Sequence, residues 1–306
     1  MRRGIKITLG AISLVAVVMI GYSVYLYSHV KSAADQMYEP REPIKQVSIV
    51  DQRGGGDFPV DMENEEPFNA LILGVDERSN DRGRSDTMIV LSVNPAKQSA
   101  LMFNIPRDTR TNIVGHGTED KINHAYAFGG VNMSVQTVEQ LLDVPIHYYM
   151  KVNMEGFAQV IDMVGGVNVN NPFAFDYEGY RFEQGKIHLD GEAALGFSRM
   201  RYDDPKGDLG RNDRQREIIK QVLKNTIQVS NVLQLETLLD EVSAHVRTDV
   251  TFDEMKQMFS NYRSVLDHIE SVEIKGAGKK IDGVYYYIVE QSERDRIHQM
   301  IEEHSK

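Results

Sequence analysis

The sequence predicts an α/β (α+β) domain, a mixed central sheet flanked by helices, preceded by one N-terminal transmembrane helix. Three observations predict this. Residues 7–30 carry no charge; three short apolar runs between residues 70 and 105 are separated by turn chemistry; and beyond Gly129-Gly130 the apolar spacing lengthens to a helical period. With 306 residues, 41% hydrophobic and 26% charged, the chain is long enough to bury a substantial core.

The first element is the uncharged run. At ~1.5 Å per residue its 24 positions span roughly 36 Å, enough to cross a hydrocarbon core of about 30 Å with some tilt. A signal-peptide apolar region is usually only ~7 to 15 residues, although Ser32-Ala33-Ala34 would suit a cleavage site. Arg2, Arg3 and Lys6 favour the cytoplasmic side, and Tyr22, Tyr25 and Tyr27 the far interface. The expected layout is therefore single-pass with the N-terminus inside. Residues 1–6 form a cytoplasmic end, 7–30 the anchor, 31–67 an extracellular linker and 68–306 an extracellular domain. The linker assignment rests on Pro40, Pro43, Pro59 and Gly54-Gly55-Gly56, with a net-acidic stretch over 57–66.

Within the domain, residues 70–75 (ALILGV), 87–93 (TMIVLSV) and 100–105 (ALMFNI) read as short buried strands, the last stopped by Pro106. Helical spacing follows over 131–142, 154–164, 211–227 and 252–266, with Gly129-Gly130 and Gly165-Gly166 as punctuation. Further strand candidates fall at 148–152, 271–274 and 283–289, and no internal repeat is present.

Composition excludes several functions. The chain has no cysteine, so thiol nucleophiles, thiolate metal sites and disulfides are absent. A formal charge of −11 argues against binding nucleic acid, whose phosphates demand positive surface. The nine histidines lack HExxH spacing, and neither GxSxG nor a Walker A sequence occurs.

The charges that remain converge. If the first three runs form an up-and-down meander, Asp76 follows strand one, Asp86 precedes strand two and Arg107 follows strand three, all at one sheet end. Arg78, Arg82 and Arg84 lie in the first connection. Of 19 arginines, 11 fall in the windows 78–110 and 181–216. The guanidinium fork matches phosphate and carboxylate oxygens, which suggests an anion site. The alternative is pairing with Asp81, Asp203, Asp204, Asp208 and Asp213 in the same windows. On the helix after Gly210, Arg211 and Gln215 share the stripe of Ile218, Ile219, Val222 and Leu223, and helix N-terminal amides favour an anion there. Arg199 and Arg201, in FSRMRY, would share a face if that stretch were extended. Two carboxylates beside arginines suggest a pyrophosphate with a bridging divalent cation, since magnesium takes one or two carboxylates plus phosphates. His124, in INHAYAFGG, reads as a hydrogen-bonded structural residue before a catalytic base.

Four blocks in order, LILGVDERSNDRGRSDTMIVLSVNP, FNIPRDTR, KINHAYAFGG and LDGEAALGFSRMRYDDPKGDLGRNDRQR, resemble the LytR-CpsA-Psr family of membrane-anchored bacterial wall enzymes. The resemblance covers about residues 69–223, and within the family it is strongest to the teichoic acid transferases of Gram-positive bacilli. It implies Mg2+ held by Asp76 and Asp86, and a pyrophosphate bound by Arg84, Arg107, Arg199, Arg201, Arg211 and Gln215. It also implies the activity: transfer of an anionic glycopolymer, wall teichoic acid foremost, from a polyprenyl-pyrophosphate carrier to peptidoglycan at a muramic-acid hydroxyl. An apolar tunnel for the prenyl chain follows from the same resemblance, and nothing in the apolar periodicity locates it. The catalytic set would be Asp76, Asp86, Arg107 and Arg199. A non-catalytic sensor of lipid-linked precursors and a polyprenyl-pyrophosphate hydrolase need the same arginines and stay open here.

Overall fold

The computed structural model describes residues 2–41, 60–77, 82–225 and 235–306. The order is helix α1 (Arg2–Met37); strands β1 (Phe68–Val75), β2 (Ser85–Asn94), β3 (Ser99–Asn104), β4 (Arg110–Ile113) and β5 (Thr118–Lys121); α2 (His124–Leu142); β6 (Tyr148–Asn153); and α3 (Met154–Met163). Then come β7 (Val167–Asn171), β8 (Phe175–Tyr177), β9 (Tyr180–Phe182), β10 (Gly185–Leu189), α4 (Gly191–Arg199), α5 (Asp208–Asn225), α6 (Leu235–His245) and β11 (Val246–Thr248). The chain closes with α7 (Phe252–Asn261), β12 (Ile269–Glu273), β13 (Ala277–Ile281), β14 (Val284–Ile288) and α8 (Gln291–His304).

The central sheet has the order β11-β6-β1-β2-β3-β12. β1, β2 and β3 are the expected antiparallel meander, while β6 lies parallel to β1 and β12 parallel to β3. The sheet is mixed, as the sequence predicts. Alternation along the strands sorts the core onto two faces. Leu71, Leu73, Val75 and Val90 pack with α2 and α8, while Ile89, Leu91, Val93 and Met102 pack toward Tyr262 and Val265. A third apolar cluster lies under α3, α4 and α5, around Ile161, Phe175, Phe182, Phe197 and Ile218.

Local chemistry explains the helix ends. Asn153 caps α3 by accepting from the Gly156 amide, Asp190 caps α4 through Ala193, and Thr251 with Glu254 forms a reciprocal capping box on α7. The helix expected at 131–142 begins earlier, at His124, and bends where Gly130 takes φ 66°. The helix expected over 252–266 stops at Asn261, followed by a 3-10 turn, Arg263–Asp267.

The N-terminal region is less divided than its composition suggests. α1 includes the expected span of 7–30 and continues to Met37. From Ile12 to Met37 it is long and apolar enough to cross a membrane, and Ile12, Val17, Ile20 and Val24 are exposed along it. Its last turns pack on the domain, leaving Ala33 and Ala34 each 2% exposed. Beyond it, Arg41 donates to Asp249 Oδ2 (2.6 Å) and to the carbonyls of Ile146 (3.0 Å) and His147 (2.6 Å). Of the stretch expected as linker, residues 31–41 and 60–67 therefore belong to the packed structure, and 42–59 lie outside the described residues.

Candidate active site

The meander delivers Asp76, Asp86 and Arg107 to one end of the sheet. Val75 pairs with Ser85 across β1 and β2, and the Asp76 amide donates to the Arg84 carbonyl at 3.2 Å. Gly83 makes this return possible. Its φ is +70°, and a Cβ there would sit 2.0 Å from the Asp76 carbonyl oxygen. Arg78 and Asp81 of this connection lie outside the described residues.

A continuous relay of charges runs from the sheet end to α5. Asp86 accepts from Arg107 Nη1 (2.9 Å) through Oδ2 and from Asn123 Nδ2 (3.2 Å) through Oδ1. Arg107 Nη2 lies 3.7 Å from Asp208, and Asp208 accepts from Arg211 Nη2 at 3.0 Å. Burial works against the Arg107 charge, but Asp86 and then Asp208 outweigh it and hold the guanidinium above its ordinary value. At Arg211 burial wins, helped by Arg107 and Arg201 and opposed by Asp208, so its pKa is lowered. Arg107 Nε, Arg211 Nε and Gln215 Oε1 are buried with no hydrogen-bond partner. Such groups cost ~1 to 3 kcal/mol each when left unmatched, which marks a place where a polar ligand is expected.

Arg199 and Arg201 reach this place differently from the expectation. FSRMRY is not extended: Arg199 is the last residue of α4 and Met200 its cap, with Arg201 beyond. Asp190 offers the helix a strong N-cap, and this overrides the apolar alternation of the segment. Arg199 faces Glu178 at 3.5 Å. Arg201 bonds to the Tyr202 hydroxyl at 2.6 Å and stacks on its ring at 4.6 Å. Arg84 is exposed at the sheet end. Of the other described arginines of the two windows, Arg82 donates to the Phe128 carbonyl at 3.3 Å, and the rest pair with acidic neighbours: Arg110 with Glu119, Arg181 with Glu183 and Asp176, Arg214 with Asp204, and Arg216 with Asp213.

Asp86, Arg199, Arg211 and Gln215 line one cavity with Ile72, Met150, Val152, Phe157, Val160 and Leu223, enclosing about 180 Å³. It lies among β1, β2, β6, α3, α4 and α5. One part is charged and the rest is apolar, so the chemistry it fits is an anion attached to a hydrocarbon. Periodicity could not find it, because its walls come from six elements far apart in sequence. Sequence reasoning also did not assign site roles to Asp208, Asn123 and Glu178. Asp208 lies one helical turn before Arg211, a pairing distance that could have revealed it; the contact of Asn123 with Asp86 has no sequence signal. His124 Nδ1 lies 2.7 Å from Asp120, a satisfied structural pair.

No group of three or more His, Asp or Glu among the described residues forms a metal cage. Asp76 and Asp86 still offer two carboxylates at one strand end, the donor set that magnesium accepts when phosphates complete its shell.

The LytR_cpsA_psr family model matches residues 24–303. The polyisoprenyl-teichoic acid–peptidoglycan teichoic acid transferase TagU of Halalkalibacterium halodurans is 47% identical over 292 residues, 95% of this chain and 94% of that one. The crystal structure of Bacillus subtilis TagU matches with TM-score 0.65 at 44% identity, covering 79% of this chain and 97% of the other. A structure of TagT bound to LI-WTA matches with TM-score 0.69 at 27% identity, covering 82% and 94%. The motif blocks that meet at the sheet end thus lie inside a match along nearly the whole chain, and the protein belongs to the LytR-CpsA-Psr family.

Proposed function

We propose that this protein transfers an anionic cell-wall glycopolymer, wall teichoic acid foremost, from a polyprenyl-pyrophosphate carrier to a muramic-acid hydroxyl of peptidoglycan. The observation that carries this reading is the cavity: the buried Arg211 guanidinium, its Nε unmatched, stands with Arg199 and Asp86 at one part, and apolar walls line the other. The names of the relatives support it, TagU for the enzyme class and TagT for polymer binding. The apolar N-terminal helix, with Arg2, Arg3 and Lys6 before it, supports a single-pass anchor with the domain outside.

In this reading the acceptor oxygen attacks the phosphorus that bears the sugar. A new P–O bond forms, the bond from that phosphorus to the bridging oxygen breaks, and polyprenyl phosphate leaves with that oxygen. The hydroxyl proton passes to a carboxylate, Asp76 or Asp86. Catalysis of this kind is mostly positioning and neutralisation of charge. Arg107, Arg199, Arg201 and Arg211, with Arg84 at the rim, neutralise the pyrophosphate oxygens, and Gln215 orients them. Asp76 and Asp86 would hold Mg2+, which when bound supplies further charge neutralisation at the phosphates.

The test uses the full chain in detergent with a short-chain polyprenyl-pyrophosphate-linked disaccharide, Mg2+ and peptidoglycan oligomers, following the acceptor by mass spectrometry. A phosphodiester-linked product that is lost with EDTA and in Asp76→Ala is expected. An acceptor that never gains mass while donor binds would overturn the transferase in favour of a sensor. Free sugar phosphate in the supernatant would favour a hydrolase.

A further inference from the structure

Helix α7 carries an alternation of aromatic and basic side chains along one stripe. Phe252, Lys256 and Phe259 follow at i, i+4 and i+7, so they share a face, and Arg263 continues the pattern in the next turn. Lys256 Nζ lies 5.0 Å from the Phe252 ring centre, and the Arg263 guanidinium 5.2 Å from that of Phe259. Phe259 is nonetheless 53% exposed, and none of the ten residues of α7 is fully buried. Asp253 pairs with Lys256 at 2.6 Å, and Glu254, the other acid of α7, is turned to the Tyr148 and Thr251 hydroxyls. On a protein of charge −11, an exposed aromatic-basic stripe needs a partner other than water.

The membrane helix supplies the clue to that partner. Phe252 meets Tyr27 of α1 edge to face, with ring centres 5.5 Å apart. From Ile7 to Tyr27 the helix rises roughly 30 Å, about the thickness of the hydrocarbon core, so Tyr27 stands at the outer headgroup level. α7 therefore starts at that level. The domain cannot swing away from it, because Ala33 and Ala34 are buried and Arg41 is bonded to Asp249, Ile146 and His147. Aromatic rings with flanking Lys and Arg are the composition of a surface that lies in the lipid interface.

We infer that the Phe252–Lys256–Phe259–Arg263 stripe is a lipid-binding surface that rests on the anionic outer face of the bilayer. It is a second membrane contact, beside α1, and it holds the domain in one orientation over the leaflet that carries the lipid-linked donor. The inference rests on the reading of α1 as a membrane anchor.

The chain has no tryptophan, so one introduced Trp is the sole indole fluorophore. Full-length Phe259→Trp is reconstituted in two sets of vesicles of phosphatidylglycerol and phosphatidylcholine, one brominated near the headgroup end of the chains, the level expected for position 259, and one near their methyl end, the level expected for position 18. Val18→Trp, in α1, and Tyr285→Trp, on the β13–β14 hairpin, are the references. Several-fold quenching and a blue shift at position 259, weakened by Lys256→Glu with Arg263→Glu, are expected, with position 285 unaffected. Quenching at 18 but none at 259 overturns the inference and leaves the anchor standing. No quenching at 18 removes the anchor, and the inference with it.

Discussion

Arg211 and Arg214 stand three residues apart on α5, 6% and 4% exposed, in opposite surroundings. Arg214 donates Nε to the Phe197 carbonyl at 2.9 Å, reaches the Met200 carbonyl through Nη2 and pairs with buried Asp204 through Nη1. Its guanidinium also lies 5.4 Å from the Phe175 ring centre and 5.7 Å from that of Phe197. Arg211 bonds Asp208, is crowded by other arginines, and keeps Nε unmatched beside an unmatched Gln215 Oε1. Burial alone thus does not mark a binding arginine. A buried cation whose three nitrogens all find acceptors holds the fold, here by fastening the end of α4 and with it Arg199; one with a buried N–H unmatched suits the proposed pyrophosphate.

The largest effect should break the structural half of this contrast. Arg214→Ala leaves Asp204 buried without its counter-charge and should cost about 3 to 5 kcal/mol in denaturant unfolding. A loss near zero would put the two arginines in one class. Arg211→Ala, Arg107→Ala and Arg199→Ala should each lower transfer by roughly 10²- to 10³-fold, as removal of a preorganised charge-stabilising donor does. Their melting temperatures should stay close to wild type, and full activity in Arg107→Ala and Arg199→Ala would sink the site. Gln215→Leu should raise the donor KM by roughly 10-fold, the equivalent of one hydrogen bond of ~1.4 kcal/mol. Smallest of all, Arg181→Ala, whose partners Glu183 and Asp176 share its exposed surface, should leave turnover and melting temperature unchanged.

Much of this contrast was legible before folding, and part was not. Strand runs with short turns were enough to bring Asp76, Asp86 and Arg107 together, since a meander returns alternate chain ends to one edge. Helical spacing was enough to turn Arg211 and Gln215 inward. The same spacing could not tell Arg214 from Arg211, because the distinction lies in carbonyls of α4 and in Asp204, outside the helix. The alternation of FSRMRY leaves an extended stretch open, and Asp190, nine residues before Arg199, closes it by starting a helix that runs to Arg199.

By itself the sequence determined the long apolar N-terminal helix, the mixed α/β class and the acidic and basic residues at the sheet end, because these follow from local periodicity, short connections and charge placement. Only the tertiary structure decided which arginines are paired and which are left unmatched, where the apolar cavity runs, and that residues 33–41 are packed on the domain. Those outcomes depend on contacts between residues up to about two hundred positions apart, such as Arg41 with Asp249, and burial decides what each contact is worth.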